Sequence, residues 1–409
     1  MPFYAEHDRA RKFVTAILLA SLSGRAAGLP SGPGRGVTLS RSFELISAAD
    51  VSPDLAYKLD GLAKIDPNQP VTSEVDTQTL SLFGREDMIA RFSQDYQPNG
   101  CAPLSPSQSA LDEIGRRAQQ TSIVIINESH ERSRDRGFTT EMIRLLRPLG
   151  YNVLALEALS HPPADEPEQY LPPIVKHPER PYFEDGDGVY VSEAAYGRLG
   201  REAKALGFQF LPYEDNTSKD RTKTVSRDQQ IDLREEAQAS NLASFIKNNP
   251  RAKLLIHVGY SHASEVERAD GKKWMAVRLK EKTGIDPLTI SQTTCRGGSA
   301  SLRLSMLPPS EPPGAFDLII DHPAEQFTRG RPNWRIEAGD RIVGIPRPLR
   351  PIRGWRVIEA RPLGEPRASV PMDRVAIRPG ENIALMLPPG NYYLRGIDLK
   401  TSGDHPGRK

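Results

Sequence analysis

The 409-residue sequence has almost no excess charge of either sign. Its 54 basic and 52 acidic residues leave a formal net charge of +2. A protein that binds nucleic acid through its phosphates usually presents a strongly positive surface, and this balance supplies none. We therefore expect no nucleic-acid partner.

Cysteine is also scarce, since Cys101 and Cys295 are the only two. Their separation lacks the close Cys-x-x-Cys pairing of a zinc site. In an exported protein they would be able to close the two ends of the core with one disulfide. Two unrelated buried thiols are the alternative.

A third absence is that of a long hydrophobic run. The apolar run from Phe13 to Leu22 is too short to span a bilayer as a helix. It follows a basic segment and precedes small residues, which is typical of an export signal. We expect residues 1–27 to be a signal peptide, no transmembrane span after it, and a periplasmic or secreted protein. Because Glu6 and Asp8 dilute the basic segment, a tethered or cytoplasmic N-terminal helix is the alternative.

The stretch from Thr121 to Leu159 predicts a strand, a loop, a helix and a second strand. An apolar run, Ile123 to Ile126, breaks into the polar sequence Asn-Glu-Ser-His, and a second apolar run, Val153 to Leu156, follows an amphipathic helix. Continuous apolar strands suit a parallel sheet buried on both faces, and the right-handed crossover rule places these two strands in one sheet.

The same alternation continues to about residue 297. Further strands are predicted at 208–211, 253–258 and 287–291, with helices between them. The predicted fold class is therefore α/β, with a largely parallel sheet flanked by helices in a domain at 101–297. Residues 28–100 form an N-terminal extension to which we assign no chemistry.

From residue 300 to 400 the pattern changes to short β-like runs separated by proline and glycine, which favours a small β-sandwich domain. These runs are Leu302–Leu304, Leu318–Ile320, Arg341–Gly344, Trp355–Glu359, Arg374–Ile377, Asn382–Met386 and Tyr392–Leu394.

Ionisable residues follow the predicted strands where each one ends. Glu128 and His130 leave the first strand, Glu157 leaves the second, and His262 follows Gly259 after a later one. Since the carboxyl ends of parallel strands meet at one edge, where such sheets bind ligands, we expect these side chains to converge. A carboxylate beside a neutral imidazole gives a general base, whereas two histidines with two glutamates are also able to form a metal site.

Other residues at this edge are candidates for substrate binding. Tyr213, Glu214 and Asp215 follow the strand at 208–211, and Arg234 lies on the next helix. Gly259 is a further candidate, because without a side chain it would let the substrate come close to the backbone. Glu157 has a structural alternative, because a buried acid needs a partner such as Arg132, Arg134 or Arg234. His257 lies within a strand and is interpreted as a core histidine.

These motifs resemble those of the erythromycin esterase, ChaN and TraB/Tiki superfamily. The resemblance rests on Asn-Glu-Ser-His at 127–130, Leu-Ala-Leu-Glu-Ala at 154–158, Gly-Tyr-Ser-His at 259–262 and the arginine-bearing helix 227–242, and it covers about residues 120–292. Asn127 stands where the family usually has glycine. The family includes a metal-independent esterase, metal-dependent proteases and a haem-binding lipoprotein. The resemblance implies that His130 activates water, Glu128 orients it, and Glu157 and His262 position or polarise the scissile group.

The first hypothesis is therefore a hydrolase that cleaves an ester or amide bond of a small molecule or peptide. A serine nucleophile is not favoured, because the sequence lacks Gly-x-Ser-x-Gly. The alternatives are a haem- or metal-binding protein without catalysis and a metal-dependent peptidase that uses the same four residues, Glu128, His130, Glu157 and His262, as ligands. The cofactor, the substrate and the oligomeric state are left open.

Overall fold

The computed structural model describes residues 36–66, 69–71, 73–104, 109–161, 171–214, 226–268 and 270–399. The predicted signal peptide and Asp215 lie outside these residues. Within them, no helix is both long enough and apolar enough to cross a membrane.

The first two thirds of the described chain contain both helices and strands, which alternate from β2 onward. They are β1 (Val37–Ser47), α1 (Pro53–Lys64), α2 (Glu74–Leu82), α3 (Glu86–Ile89), α4 (Ala110–Ala118), β2 (Ile123–Glu128), α5 (Ser133–Leu146), β3 (Val153–Leu156), α6 (Pro173–Lys176), α7 (Ala194–Ala205), β4 (Gln209–Pro212), α8 (Arg227–Asn248), β5 (Leu254–Gly259), α9 (Met275–Thr283) and β6 (Leu288–Arg296).

Strands dominate the remainder. They are β7 (Arg303–Ser305), β8 (Leu318–His322), β9 (Phe327–Thr328), β10 (Arg331–Pro332), β11 (Arg341–Gly344), β12 (Arg356–Pro362), β13 (Asp373–Ile377), β14 (Ala384–Leu387) and β15 (Gly390–Asp398), with the short helix α10 (Trp334–Glu337) after β10.

The principal sheet has seven strands in the order β4-β3-β5-β2-β6-β8-β7, all parallel except β7. This confirms the predicted largely parallel sheet. Alternate residues of β2 enter different cores, because successive side chains of a strand point to opposite faces. Val124 and Ile126 pack with α4, α5 and α7, whereas Ile123 and Ile125 pack with α8 and α9. Helices therefore cover both faces of the sheet.

Two of the short runs expected in the C-terminal β-sandwich belong instead to this sheet. The runs at 302–304 and 318–320 correspond to β7 and β8, and β8 pairs in parallel with β6 in the register Ile290↔Leu318. Their prediction as sandwich strands was wrong because strand spacing indicates a strand but not its partner. The N-terminal strand β1 was not predicted, and it pairs in parallel with β15.

The strand-rich C-terminal region is confirmed. A four-stranded sheet in the order β1-β15-β12-β13 packs beside the two-stranded sheet β11-β14. Side chains from both sheets, among them Ile358, Val375, Leu385 and Leu394, share one apolar core. The remaining five predicted runs each overlap a strand of these two sheets.

A buried ion network joins this region to the α/β part. Glu359 accepts hydrogen bonds from Arg361 at 2.5 Å, Arg374 at 2.8 Å and Arg395 at 2.7 Å. Arg374 in turn donates to Asp185 at 3.0 Å, in the segment that leads into α7. Although burial raises the pKa of Glu359, the three guanidinium groups hold it well below its usual range. The network therefore fixes the start of α7, which carries residues of the candidate site.

Cys101 and Cys295 form a disulfide with Cα atoms 5.7 Å apart, and it closes a chain segment of 194 residues. This bond ties the segment before α4 to the end of β6. Arg296 and Asn99 continue the contact with two backbone hydrogen bonds, at 2.9 and 3.2 Å.

Replacing Glu359 with glutamine should destabilise the fold, because three buried arginines then lose their shared counter-charge. We expect a loss of about 3–5 kcal/mol in the free energy of unfolding, measured by urea denaturation. Glu281→Gln removes one partner of the exposed pair with Lys273 and should cost less than about 1 kcal/mol. Equal effects of the two substitutions would contradict a structural role for the network.

Candidate functional site

The carboxyl ends of three adjacent strands bring the predicted residues together. Glu128 is the last residue of β2 and lies in register with Gly259, the last residue of β5. Glu157 follows β3, and its backbone N–H donates to the carbonyl of His257 at 3.2 Å. His262 lies in the short 3₁₀ turn that directly follows β5. The predicted convergence therefore arises from the parallel pairing of β2, β3 and β5.

His130 and Glu128 form a hydrogen-bonded pair, with 3.0 Å between His130 Nδ1 and Glu128 Oε1. The ring of His130 stacks on Tyr190 at a centroid distance of 4.4 Å and meets the edge of Tyr260 at 5.2 Å. Because Nδ1–H is directed at a carboxylate, the neutral ring carries its lone pair on Nε2. The two tyrosines and the carboxylate fix the direction in which that lone pair points.

Glu128 is buried and is held in place by Arg136 and Tyr196, which the sequence analysis did not single out, and by the core histidine His257. Arg136 of α5 contacts Oε2 through Nε at 2.9 Å, and the Tyr196 hydroxyl of α7 donates to Oε1 at 2.9 Å. The His257 ring lies 3.5 Å from Oε2 and also contacts the Tyr196 hydroxyl at 3.3 Å. Burial raises the pKa of Glu128, but the charges of Arg136 and His257 and the contact with His130 lower it to about 2. Glu128 is therefore a carboxylate at every physiological pH.

Gly259 leaves the space that His130 and Glu157 share. A Cβ atom at this position would lie 2.7 Å from both Cε1 and Nε2 of His130 and 3.1 Å from Glu157 Oε2. Its φ of −76° is open to any residue. Glycine is required here by contact with the two side chains and not by backbone conformation.

Glu157 binds the backbone of Gly259 and the guanidinium of Arg234. Its Oε2 accepts from the Gly259 N–H at 2.6 Å, while Oε1 receives Arg234 Nη2. Burial raises the pKa of Glu157, but His262 and Arg234 outweigh it and lower the pKa to about 2. Arg234 also binds Glu214, with 2.9 Å between Nε and Oε1, and its side chain is 37% exposed. Of the structural partners considered for Glu157, the observed one is Arg234.

His262 is oriented by Glu235, the neighbour of Arg234 on α8. Nδ1 of His262 contacts Glu235, and Nε2 lies 3.2 Å from Arg234 Nη1 and 3.7 Å from Glu157 Oε1. Burial lowers the pKa of His262, whereas Glu235 and Glu157 raise it above its ordinary value overall. The second histidine is thus held between two acids and Arg234.

Two of the predicted substrate-binding residues, Tyr213 and Glu214, have different surroundings. Tyr213 is fully buried, and its hydroxyl donates to the carbonyl of His257 at 3.0 Å, so it supports β5 from the core. Glu214 reaches the site through Arg234. Asp215 lies outside the described residues.

Asn127 has a structural role at the position where glycine was expected from the resemblance. Its side-chain amide donates to the carbonyl of Tyr260 at 2.8 Å and to the Thr293 hydroxyl at 2.9 Å, and its side-chain oxygen accepts from the backbone of Gln292 at 2.8 Å. Because these partners come from β6 and the turn after β5, Asn127 ties three strand ends together.

The described residues do not fit a metal centre built from the four predicted ligands. Among them, no group of three or more His, Cys, Asp or Glu side chains gathers around a common point. Arginines already bind both carboxylates, Arg136 on Glu128 and Arg234 on Glu157. A divalent ion would have to displace these cations, so we derive no step through a metal.

No protein family and no curated protein matches the sequence. Among solved structures, RRSP, a MARTX toxin effector domain from Vibrio vulnificus CMCP6, aligns with a TM-score of 0.35 and 16% identity, over 59% of this chain and 46% of that chain. ChaN of Campylobacter jejuni, described with cofacial haem binding, aligns with a TM-score of 0.35 and 11% identity, over 51% of this chain and 90% of that chain. A bacterial protein toxin aligns with a TM-score of 0.33 and 15% identity, over 45% of this chain and 37% of the toxin chain. Similarity at this level carries no argument about function, and membership of the superfamily stays a prediction.

Gly259→Ala should displace His130, because the new methyl group would overlap the imidazole. We expect the low-field proton NMR signal of the Nδ1–H bond to Glu128 to shift or disappear, with a stability loss of about 1–3 kcal/mol. Gly344→Ala, where the added atom meets nothing within 4 Å, is the matched control. An unchanged signal in Gly259→Ala would show that the added methyl group does not displace the His130 ring.

Proposed function

We propose that the protein is a hydrolase that cleaves an ester or amide bond by attack of water. One observation carries this proposal: the pair between His130 Nδ1 and Glu128 leaves Nε2 as the basic nitrogen, at the edge of the ring that packs against Gly259. An imidazole oriented by a carboxylate is the usual general base for water or a hydroxyl group.

In this reaction His130 Nε2 takes a proton from water as the water oxygen bonds to the scissile carbonyl carbon. The resulting imidazolium is stabilised by Glu128, whose negative charge is secured by Arg136. Collapse of the tetrahedral intermediate breaks the bond to the leaving group, and His130 returns the proton to the leaving oxygen or nitrogen. Proton transfer is thereby completed without any other group.

Arg234 is assigned to the developing negative charge on the carbonyl oxygen. The guanidinium of Arg234 is partly exposed and lies beside Glu157. Glu157 in turn lies against Gly259 and close to the His130 ring. Glu157 and Glu214 hold this cation in position, and His262 lies next to it. Preorganised cations and donors at the oxyanion position stabilise such intermediates by several kcal/mol. Glu157 is thus a positioning residue, and Arg234 contacts the substrate.

We further propose that the protein works in the periplasm or outside the cell, on a small molecule or a peptide. The disulfide between Cys101 and Cys295 supports an oxidising compartment, where such bonds persist. The basic and apolar pattern at residues 1–27 agrees with this location.

His130→Ala should lower kcat/KM for any hydrolysed ester or peptide by about 10²–10⁴-fold, the usual contribution of general base catalysis. The measurement is a panel of chromogenic esters and peptides, with unfolding curves to establish that the variant is folded. His177→Ala is the control, since His177 is a largely exposed histidine paired only with Glu179 at 3.6 Å. Hydrolysis that survives His130→Ala would refute the assignment of the base.

Removal of metal ions should leave the rate unchanged, because arginines occupy the carboxylates that a metal would need. The test is dialysis against a chelator followed by the same substrate panel. Loss of activity that a divalent cation restores would indicate the metallopeptidase alternative. If no substrate is hydrolysed but added haemin gives an absorption band that His130→Ala abolishes, the haem-binding alternative is correct.

A further inference from the structure

A cavity of about 660 Å³ lies beside the candidate site, on the side of β6. This volume is in the range of small-molecule sites. Among the residues that line the cavity are the aromatic residues Tyr260, Trp274 and Phe316 and the arginine Arg296.

Two of these rings separate the cavity from the candidate catalytic histidines. Tyr260 meets the ring of His130 edge-on at 5.2 Å, and Trp274 meets the ring of His262 edge-on at 5.9 Å. A ligand in the cavity therefore lies one side chain away from each histidine. That distance suits the part of a substrate that does not react.

Tyr260 is held in an unusual conformation at this boundary. Its φ is +41°, a left-handed value that few residues other than glycine adopt. The hydroxyl donates to Asp95 at 3.1 Å and lies 3.3 Å from the Ser129 hydroxyl. Strained backbone of this kind persists where surrounding contacts enforce it, and it concentrates at ligand sites.

Arg296 brings a positive charge to the cavity without an acidic partner. Its guanidinium donates to three backbone carbonyls, those of Gln97 at 2.9 Å, Thr293 at 2.8 Å and Gln94 at 2.6 Å. No carboxylate of the described residues forms an ion pair with it. An arginine has five N–H donors, so two remain. Burial lowers the pKa of Arg296 while Asp95 raises it, and the net direction is downward, as expected for an incompletely neutralised cation.

The acids of the lining are mostly engaged elsewhere. Asp95 accepts from the hydroxyls of Ser129 and Tyr260. Asp270 pairs with Arg268 at 3.2 Å, and Glu267 lies 3.8 Å from the ammonium of Lys273. Glu311 is the remaining acid, and its substitution serves below as a control.

We propose that this cavity binds a planar group bearing a carboxylate, with the carboxylate on Arg296 and the planar group between the aromatic walls. This inference rests on the proposed hydrolase function, because it assigns the cavity to the non-reacting part of the substrate. The preferred substrate is then an ester or amide that carries an aromatic or similarly flat acid. Arginine suits this role because a guanidinium group is able to bind a carboxylate through two N–H groups at once.

Binding of three probes of similar size and different charge tests the inference by titration calorimetry with the full protein. Benzoate should bind about tenfold more tightly than neutral benzamide, and benzylamine most weakly, as a charge-assisted hydrogen bond predicts. Arg296→Gln should remove the preference for benzoate, and Arg296→Lys should retain part of it. Glu311→Gln removes a charge from the same cavity and should leave the preference intact.

Equal affinities for benzoate and benzamide, tightest binding of benzylamine, or no benzoate binding at about 10 mM would overturn the inference. The order of affinities in the unmodified protein decides the matter even if Arg296→Gln fails to fold. Phe316→Ala gives a second variant, which should weaken benzoate and benzamide alike. Because His130→Ala should still bind benzoate, failure of the hydrolase proposal and failure of this one are distinguishable: the first removes hydrolysis alone, and the second removes the preference for the anion.

Discussion

The charge of Glu128, buried at the end of a central strand, is the constraint on which the rest of the site depends. A carboxylate without water is costly unless cations and donors surround it. Arg136 supplies the cation from α5, Tyr196 supplies a hydroxyl from α7, and His130 uses the remaining contact. Satisfying one carboxylate therefore fixes two helices against the sheet and orients the imidazole at the same time.

Other buried acids are paired with basic side chains in the same way. Glu157 holds Arg234, Glu235 holds His262, and Glu359 gathers three arginines between the two parts of the chain. In each case a buried acid is paired with a basic side chain, and most of these side chains come from another element. The protein thus uses buried ion networks to set the relative positions of its helices and strands, and the site inherits that order.

Sequence alone was sufficient for five strands of the central sheet, β2 to β6, and for the convergence of Glu128, His130, Glu157 and His262 at the strand ends. Apolar runs such as 123–126 identify parallel strands, and parallel strands end together, so Glu128 and Glu157 were predicted as neighbours without any structure. Arg136 and Tyr196 were not found, because an arginine on a helix and a tyrosine after a long loop resemble any surface residue in the sequence. Their roles depend on which helix faces pack on the sheet.

The sequence also did not show to which sheet each short strand belongs. The runs that became β7 and β8 are short and β-like, as are those of the C-terminal sheets, and pairing distinguishes them. Asn127 was noted as a departure from an expected glycine, yet its contacts with three strand ends could not be inferred from one letter.

The disulfide has a consequence for the integrity of the chain. Every residue to which we assign a role in hydrolysis lies between Cys101 and Cys295, in a loop closed across a sequence separation of 194. A single peptide-bond cleavage anywhere inside that loop would leave the two fragments covalently joined. In a compartment rich in proteases, the site is therefore protected against dissociation by a bond that lies outside the site itself.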